Sequence, residues 1–268
     1  MDVHSCSLKG FRNQNEDKHN IILNENNKNK NINNINFFSV YDGHGGKHIS
    51  KFLHDNLYNY FLDERIKYPL SKKYVYKVFD HLQNVLKNNH QEKAYHCGST
   101  CLVVLKFSKD KNNYINVLNT GDSRSILCRN NTAISLTKDH KPHWPEEKRR
   151  IEKLNGKIYF DGDDWRIKDL SVSRAFGDVD AYPFVTHKPE VFRYKLDKND
   201  KFIILACDGL WDVVTNQEAV NFILEYCYDN KLNKRVDSKK KINIAKKLAN
   251  YAINKGSTDN ITIIVYFL

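Results

Sequence analysis

The chain lacks any apolar run long enough to cross a bilayer as a helix. Its longest, Phe202–Cys207 and Ile261–Leu268, fall far short of the roughly 20 residues a span needs. No basic-then-apolar export signal opens it, and in Met1-Asp2-Val3-His4 an Asp stands where myristoylation requires glycine. The six cysteines (Cys6, Cys97, Cys101, Cys128, Cys207 and Cys227) form no CxxC pair, so they read as reduced thiols, mostly in the core. There is no GxxxxGK phosphate loop and no GxGxxG, which leaves a nucleotide-driven kinase or dehydrogenase without support. These absences lead to the expectation of a soluble intracellular protein, cytoplasmic with the nucleus also open to it, and no membrane partner.

Arginine is scarce as well. The 268 residues carry 43 Lys+Arg against 32 Asp+Glu, a formal net charge of +11, yet only 10 of the 43 are Arg. A basic chain invites a nucleic-acid reading. Arg, however, is the better fork for phosphates and base edges. With 32 Asn accompanying 33 Lys, the excess reads as a solvated basic surface, and no nucleic-acid partner is expected. At 40% hydrophobic and 28% charged, the chain is neither disordered nor collagen-like. A fold of this size buries about 75% of its unfolded surface and needs no staple.

Residues 24–36 are low in complexity, with eight Asn in thirteen, and lie between the apolar runs Ile21–Leu23 and Phe37–Val40. They read as a loop insertion between two strands, and Asp229–Asp237 reads as a basic surface loop. Spacing of i, i+3, i+4 predicts a helix through Ile49, Phe52, Leu53, Leu57, Tyr60 and Phe61, and another through Val75, Val78, Phe79, Leu82, Val85 and Leu86. A third opens at Thr215, where Thr215 and Glu218 form a capping box. A fourth runs from Ser238 to a stop at Gly256, and a short fifth from Pro145 to Gly156. Strands are expected at Thr100–Phe107, Tyr114–Asn119, Arg124–Arg129, Val191–Leu196, Phe202–Ala206 and Ile261–Phe267. The polar turn Ser108–Asn113 favours antiparallel pairing of the first two. Strand groups separated by helix pairs, without strict β-α alternation, place the chain in the α+β class as one domain, 1–268.

The informative residues are acidic. Asp42, Asp122 and Asp208 each follow an apolar strand closely, Asp259 precedes one, and Glu16-Asp17 adds a further pair. One Asp beside a Gly is what any tight turn uses. Four at strand ends ask for another reason, because carboxylates at buried ends are costly unless paired or metal-bound. Carboxylates from distant segments, with no Cys or His cluster, suit a hard divalent cation such as Mg2+ or Mn2+. The stretch Asp161–Trp165 does not fit a calcium EF-hand, since Arg166 and Val172 stand where Gly and Glu are required. A carboxylate-held metal pair points to phosphate-ester hydrolysis, with Arg12 and His44 the nearest candidates for a phosphate-gripping cation and a leaving-group acid.

Taken in order, nine segments carry a resemblance. They are Gly10-Phe-Arg-Asn-Gln-Asn-Glu-Asp17, Val40-Tyr-Asp-Gly-His-Gly-Gly46, Gly98-Ser-Thr100, Gly121-Asp-Ser-Arg124 and Leu136-Thr-Lys-Asp-His-Lys-Pro142. Then come Glu147-Lys-Arg-Arg-Ile151, Leu170-Ser-Val-Ser-Arg-Ala-Phe-Gly-Asp178, Ala206-Cys-Asp-Gly-Leu-Trp-Asp212 and Ser257-Thr-Asp-Asn-Ile-Thr262. Over almost its whole length the chain resembles the metal-dependent serine/threonine protein phosphatases of the protein phosphatase 2C family. The resemblance implies a four-layer α-β-β-α sandwich of two antiparallel sheets flanked by helices. It also implies two Mg2+ or Mn2+ ions per subunit, and hydrolysis of phosphoserine and phosphothreonine in proteins by in-line attack of a metal-bridged hydroxide, without a phosphoenzyme.

Carried onto this chain, the resemblance makes Asp42 the bridge between the metals, with the Gly43 carbonyl on one and Asp208 and Asp259 on the other. Glu16 would hold metal-bound water, Arg12 grip the phosphate and His44 protonate the leaving oxygen. Asp122 with Asp208 would form a weaker third metal position, and Asp17 and Asp212 would orient the ligands. Arg174 and Asp178 read as buried hydrogen-bonding residues and Cys207 as strand packing. The partners implied are phosphorylated proteins, met by a monomer. A catalytically weak scaffold of the same fold is the alternative. The resemblance departs at Asn155-Gly156, where the family has paired glycines, and at the Asn-rich insertion.

Overall fold

The computed structural model describes residues 2–23, 35–236 and 242–268. The strands that form its two large sheets are β1 (Asp2–Leu8), β2 (Lys18–Ile22), β3 (Asn36–Tyr41), β4 (Cys101–Lys109) and β5 (Asn112–Thr120), followed by β6 (Arg124–Arg129), β7 (Thr132–Ser135), β8 (Glu190–Lys195), β9 (Asp200–Ala206) and β10 (Ile261–Phe267). The longer helices are α1 (His48–Asn56), α2 (Lys72–Asn89), α3 (Pro145–Lys153), α4 (Asn216–Cys227) and α5 (Ile244–Asn254). One five-stranded sheet has the order β1-β10-β9-β6-β7 and the other β8-β5-β4-β3-β2, with antiparallel neighbours throughout.

Side-chain alternation explains why the strands read as unbroken apolar runs. In β9, Phe202, Ile204 and Ala206 face α4 and α5, while Ile203 and Leu205 face the other sheet. In β4, Cys101, Val103, Leu105 and Phe107 face α1 and α2, while Leu102 and Val104 face inward between the sheets. Both faces of each sheet are therefore dry, and four layers enclose three apolar interfaces. The α+β class and the α-β-β-α sandwich are as expected. Among the described residues no helix is long and apolar enough to cross a membrane.

The local signals translate closely. Thr215 accepts from the Glu218 N–H and the Glu218 carboxylate accepts from the Thr215 N–H, forming the capping box that starts α4. The turn placed at Ser108–Asn113 is narrower than expected: β4 and β5 join through Asp110 and Lys111 alone, both at positive φ. Asn130 and Asn131 do the same between β6 and β7, in keeping with the right-handed strand twist. Asn155 takes a φ of 61° after α3, a conformation that Asn tolerates better than most residues. That is how the chain dispenses with the first of the paired glycines.

Other expectations shift. The first predicted helix ends at Asn56, and a separate turn, Asn59–Leu62, carries Phe61. The fourth begins at Ile244 behind an Asn243 cap, and its expected start at Ser238 lies outside the described residues. Most of the Asn-rich insertion, 24–34, and Asp237 of the basic loop also lie outside them; Ile35 and Asn36 are buried at the start of β3. Strand β1 has no counterpart in the sequence reading, because His4, Ser5 and Ser7 break its alternation and every residue is only half-buried.

The intersheet layer hinges on contacts such as Phe38 against Tyr266, whose ring centroids are 4.5 Å apart. Phe38→Ala should cost about 3–5 kcal/mol of unfolding free energy in a urea titration. A loss under about 1 kcal/mol would contradict the packing described.

Candidate metal centre

The four strand-end acids singled out in the sequence come to one end of the sandwich. Asp42 follows β3, Asp122 follows β5, Asp208 follows β9 and opens the short helix Asp208–Trp211, and Asp259 precedes β10. Carboxylate oxygens of Asp42, Asp122 and Asp208 lie within 4.8 Å of one another. Together with Arg12, Glu16, Gly43, His44 and Asp259, they line a cleft of about 540 Å3. A larger opening of about 1010 Å3 lies at the opposite end, where β9 begins and β10 ends, and holds none of the predicted residues.

Backbone anchors set these positions. The Asp42 N–H donates to the Thr100 hydroxyl at 3.0 Å, the Thr100 N–H returns a bond to the Asp42 carbonyl at 2.8 Å, and the same hydroxyl meets Ser123 at 2.7 Å. Gly121, at φ +105°, lets Asp122 turn close over Thr100, where a Cβ would lie 2.6 Å from its methyl group. Asn260 ties the N-terminal loop to Asp259. Its side chain accepts from the Glu16 N–H at 2.9 Å and donates to the Lys9 and Gln14 carbonyls at 2.7 and 2.9 Å.

Electrostatics mark the cluster. Burial pushes the Asp42 carboxyl well above the ordinary range, helped by the charges of Asp208, Asp17 and Asp122. Asp208 is raised likewise by burial and by Asp122 and Asp212, against the pull of Lys141. Burial brings Asp17 to about 6, and it lies within 4.8 Å of Asp42 and Cys207. Asp212 is raised too, by burial first. The Lys141 ammonium pairs with Asp122 at 2.6 Å. An all-oxygen donor set whose buried and half-buried carboxyls repel one another fits hard divalent cations, which would remove the penalty on their ionised forms.

Glu16 and Asp259 stand outside the tightest group. The Glu16 carboxylate accepts from the Gly46 N–H at 3.1 Å, and Asp259 pairs with Arg12 at 2.7 Å. Arg12 is 61% exposed, so that pair contributes on the order of 0–1 kcal/mol and is easily exchanged.

His44 is set by a small sheet in which Gly98–Ser99 pairs with Gly43–His44 on one side and Phe176–Gly177 on the other. Across Gly98, His44 Nε2 meets Asp178 Oδ2 at 2.8 Å. A Cβ at Gly98 would lie 2.1 Å from that oxygen and 2.4 Å from that nitrogen, so only glycine admits the contact. Burial pulls the His44 pKa down, but Asp178, then Asp122 and Glu16, outweigh it and raise it above its ordinary value. With Nε2 engaged, Nδ1 is the nitrogen left for a ligand.

Sequence reasoning assigned no role to Lys141, Asn260 or the Asp178–His44 pair, although all lie inside quoted motifs. Arg174 is a hydrogen-bonding residue as expected, donating to Glu147 at 3.0 and 2.5 Å. His140 accepts from the Gly121 N–H at 3.1 Å and supports the turn before Asp122. The Cys207 thiol is buried at the end of β9, away from solvent.

An α-β-β-α sandwich with an oxygen-lined cleft at its strand ends defines a class of metal-centred fold. The chain belongs to the protein phosphatase 2C family, whose model matches residues 1–261. It is 37% identical to the integrin-linked kinase-associated serine/threonine phosphatase 2C of Mus musculus, across 96% of this chain and 70% of that protein. A "PP2C-like domain-containing protein" of Acanthamoeba polyphaga mimivirus is 50% identical over 60% of this chain and 97% of its own length. Among solved structures, a serine-threonine phosphatase 2C from Toxoplasma gondii superposes with a TM-score of 0.73 at 22% identity, covering 99% of this chain and 94% of that one. This last likeness bears on the fold alone.

The raised carboxyls make a testable sign. A group whose folded pKa lies above its unfolded value contributes its stability at low pH and loses it as pH rises through the folded pKa. With cations chelated near neutral pH, Asp208→Asn should therefore unfold several degrees above the wild type by calorimetry. In excess Mn2+ the order should reverse. The same order in both conditions would contradict the cluster as described.

Proposed function

We propose that the protein hydrolyses phosphoserine and phosphothreonine in protein substrates, as a metal-dependent phosphatase whose one catalytic sandwich spans 1–268. The observation that carries this reading is the convergence of Asp42, Asp122, Asp208, Asp259, Glu16, Arg12 and His44 on one cleft. Two Mg2+ or Mn2+ ions, when bound, would activate a water for in-line attack and neutralise charge on the phosphoryl oxygens.

The chain's own residues supply the rest. Asp42 would bridge the cations, with the Gly43 carbonyl and Glu16 on one side and Asp208 and Asp259 on the other. Asp122, with Asp208, would serve a weaker third position, for which the Lys141 ammonium competes at 2.6 Å. Arg12, exposed and loosely held, can leave Asp259 for the substrate phosphate. Arg forks suit that role because they bind two oxygens at once. His44, its charged form favoured by Asp178, would give the proton at Nδ1 to the serine or threonine oxygen as it leaves. No cysteine is called on, since burial holds the Cys207 thiol well above its ordinary value. The scaffold alternative would gain from loss of a carboxylate in the cleft, and none of the proposed ligands is missing from it.

Dephosphorylation of a phosphothreonine peptide tests the proposal. Activity should require Mn2+ or Mg2+, vanish with chelator, and fall in Asp208→Ala by more than the roughly 100-fold that loss of an outer partner costs. Activity that survives chelation would refute the chemistry, and none with either metal would favour the scaffold. His44→Ala should lose about 100-fold or more on the peptide. It should lose far less on p-nitrophenyl phosphate, whose leaving group needs little protonation. Equal losses would argue against His44 as the acid.

A further inference from the structure

Gln83 is a polar residue on the buried face of α2, beside Val75, Val78, Phe79, Leu82 and Leu86, and is only 4% exposed. A buried amide is costly unless its atoms are paired. Here both are paired by the backbone of a single residue. Gln83 Nε2 donates to the Gly177 carbonyl at 2.9 Å, and the Gly177 N–H donates to Gln83 Oε1 at 2.9 Å. Gly177 lies in an outer strand of the small sheet, and the other side of that strand is tied inward by the Asp178 N–H on the Cys97 carbonyl at 3.1 Å. Gln83 thus satisfies the open edge, which would otherwise be left without partners.

The backbone held in this way is unusual. Gly177 has φ +79°, and Asp178 follows at φ 43° and ψ 47°. A left-handed conformation is unfavourable for a residue with a Cβ, and two in succession need outside support. One turn before Gln83 on the same helix, Phe79 packs against Phe176 with centroids 5.0 Å apart. Helix α2 therefore grips both residues that precede Asp178, and Asp178 is the residue that holds His44 Nε2.

We infer that Gln83 is a positioning residue for the leaving-group acid: by clamping the Gly177 N–H and carbonyl it fixes the left-handed turn that aims Asp178, and through Asp178 the imidazole of His44, into the cleft. This rests on the reading of His44 as the acid. Gln83 does not line the cleft, and its side-chain hydrogen bonds go to Gly177, so its effect would be on the aim of a proton. Proton transfer depends steeply on such aim, because small misplacements of a reacting group are costly.

The test compares Gln83→Met, close in volume but without the hydrogen bonds, with Gln83→Glu, which keeps the acceptor for the Gly177 N–H. Full-length enzyme with Mn2+ is assayed on a phosphothreonine peptide and on p-nitrophenyl phosphate, with Mn2+ affinity measured by calorimetry. Gln83→Met should lower kcat on the peptide by about tenfold, and change the aryl ester less than about twofold. KM and Mn2+ affinity should hold. Gln83→Glu should fall between Gln83→Met and wild type, and it carries the test if Gln83→Met fails to fold. In a His44→Ala background, Gln83→Met should add nothing to the loss on the peptide. A merely structural role would lower both substrates in proportion, and that result overturns the inference. If His44→Ala separates the two substrates and neither Gln83 variant does, only the positioning role fails. If His44→Ala does not separate them, the acid assignment fails and the inference with it.

Discussion

Mutual repulsion among carboxylates governs this structure. Asp42, Asp122 and Asp208 bring oxygens within 4.8 Å of one another, and two like charges about 4 Å apart repel by about 4 kcal/mol near a protein surface. Such a cluster persists only where something else holds the backbone. Here that is the sandwich, whose strands bury both faces, so that the ends of β3, β5 and β9 cannot drift apart without opening three apolar layers. The core is the constraint and the acidic end is what it makes possible. Lys141 offsets part of the charge at Asp122, and the rest is what the proposed cations would neutralise.

A second constraint runs through glycine. At Gly98 there is no room for a Cβ between His44 and Asp178, so the small sheet brings together residues 134 apart in sequence. In the proposed chemistry, carboxylates on one wall and a carboxylate-held imidazole on another would divide the labour of ester hydrolysis between holding the cations and protonating the leaving group. Arg12 and Glu16 arrive on the N-terminal loop, which Asn260 fastens beside Asp259. Each wall of the cleft is therefore positioned by a different part of the fold.

Much of this was legible in the residues. Helix stripes, the Thr215 cap and long apolar runs locate most of the framework, because they report local periodicity and burial on both faces. Asp42, Asp208 and Asp259 stand out because charge at the end of an apolar strand needs a reason. Strand β1 escaped because a half-buried edge with His and Ser has no clean alternation. Lys141, Asn260 and Gln83 escaped for another reason. Their roles come from contacts with distant backbone or distant charge, and Gln83 looks like an interruption of a helical stripe until the Gly177 backbone is seen against it. The basic excess does not mark this cleft: its acidic lining residues, Glu16, Asp42, Asp122, Asp169, Asp208 and Asp259, outnumber its two arginines, Arg12 and Arg166.

The central claim is that the acidic end exists to hold divalent cations, and calorimetric titration of Mn2+ into the chelator-stripped protein tests it most directly. The account predicts two ions bound per chain, and loss of that binding in Asp42→Asn, because Asp42 is shared between them. Undiminished binding in Asp42→Asn, or none in the wild type, would contradict it.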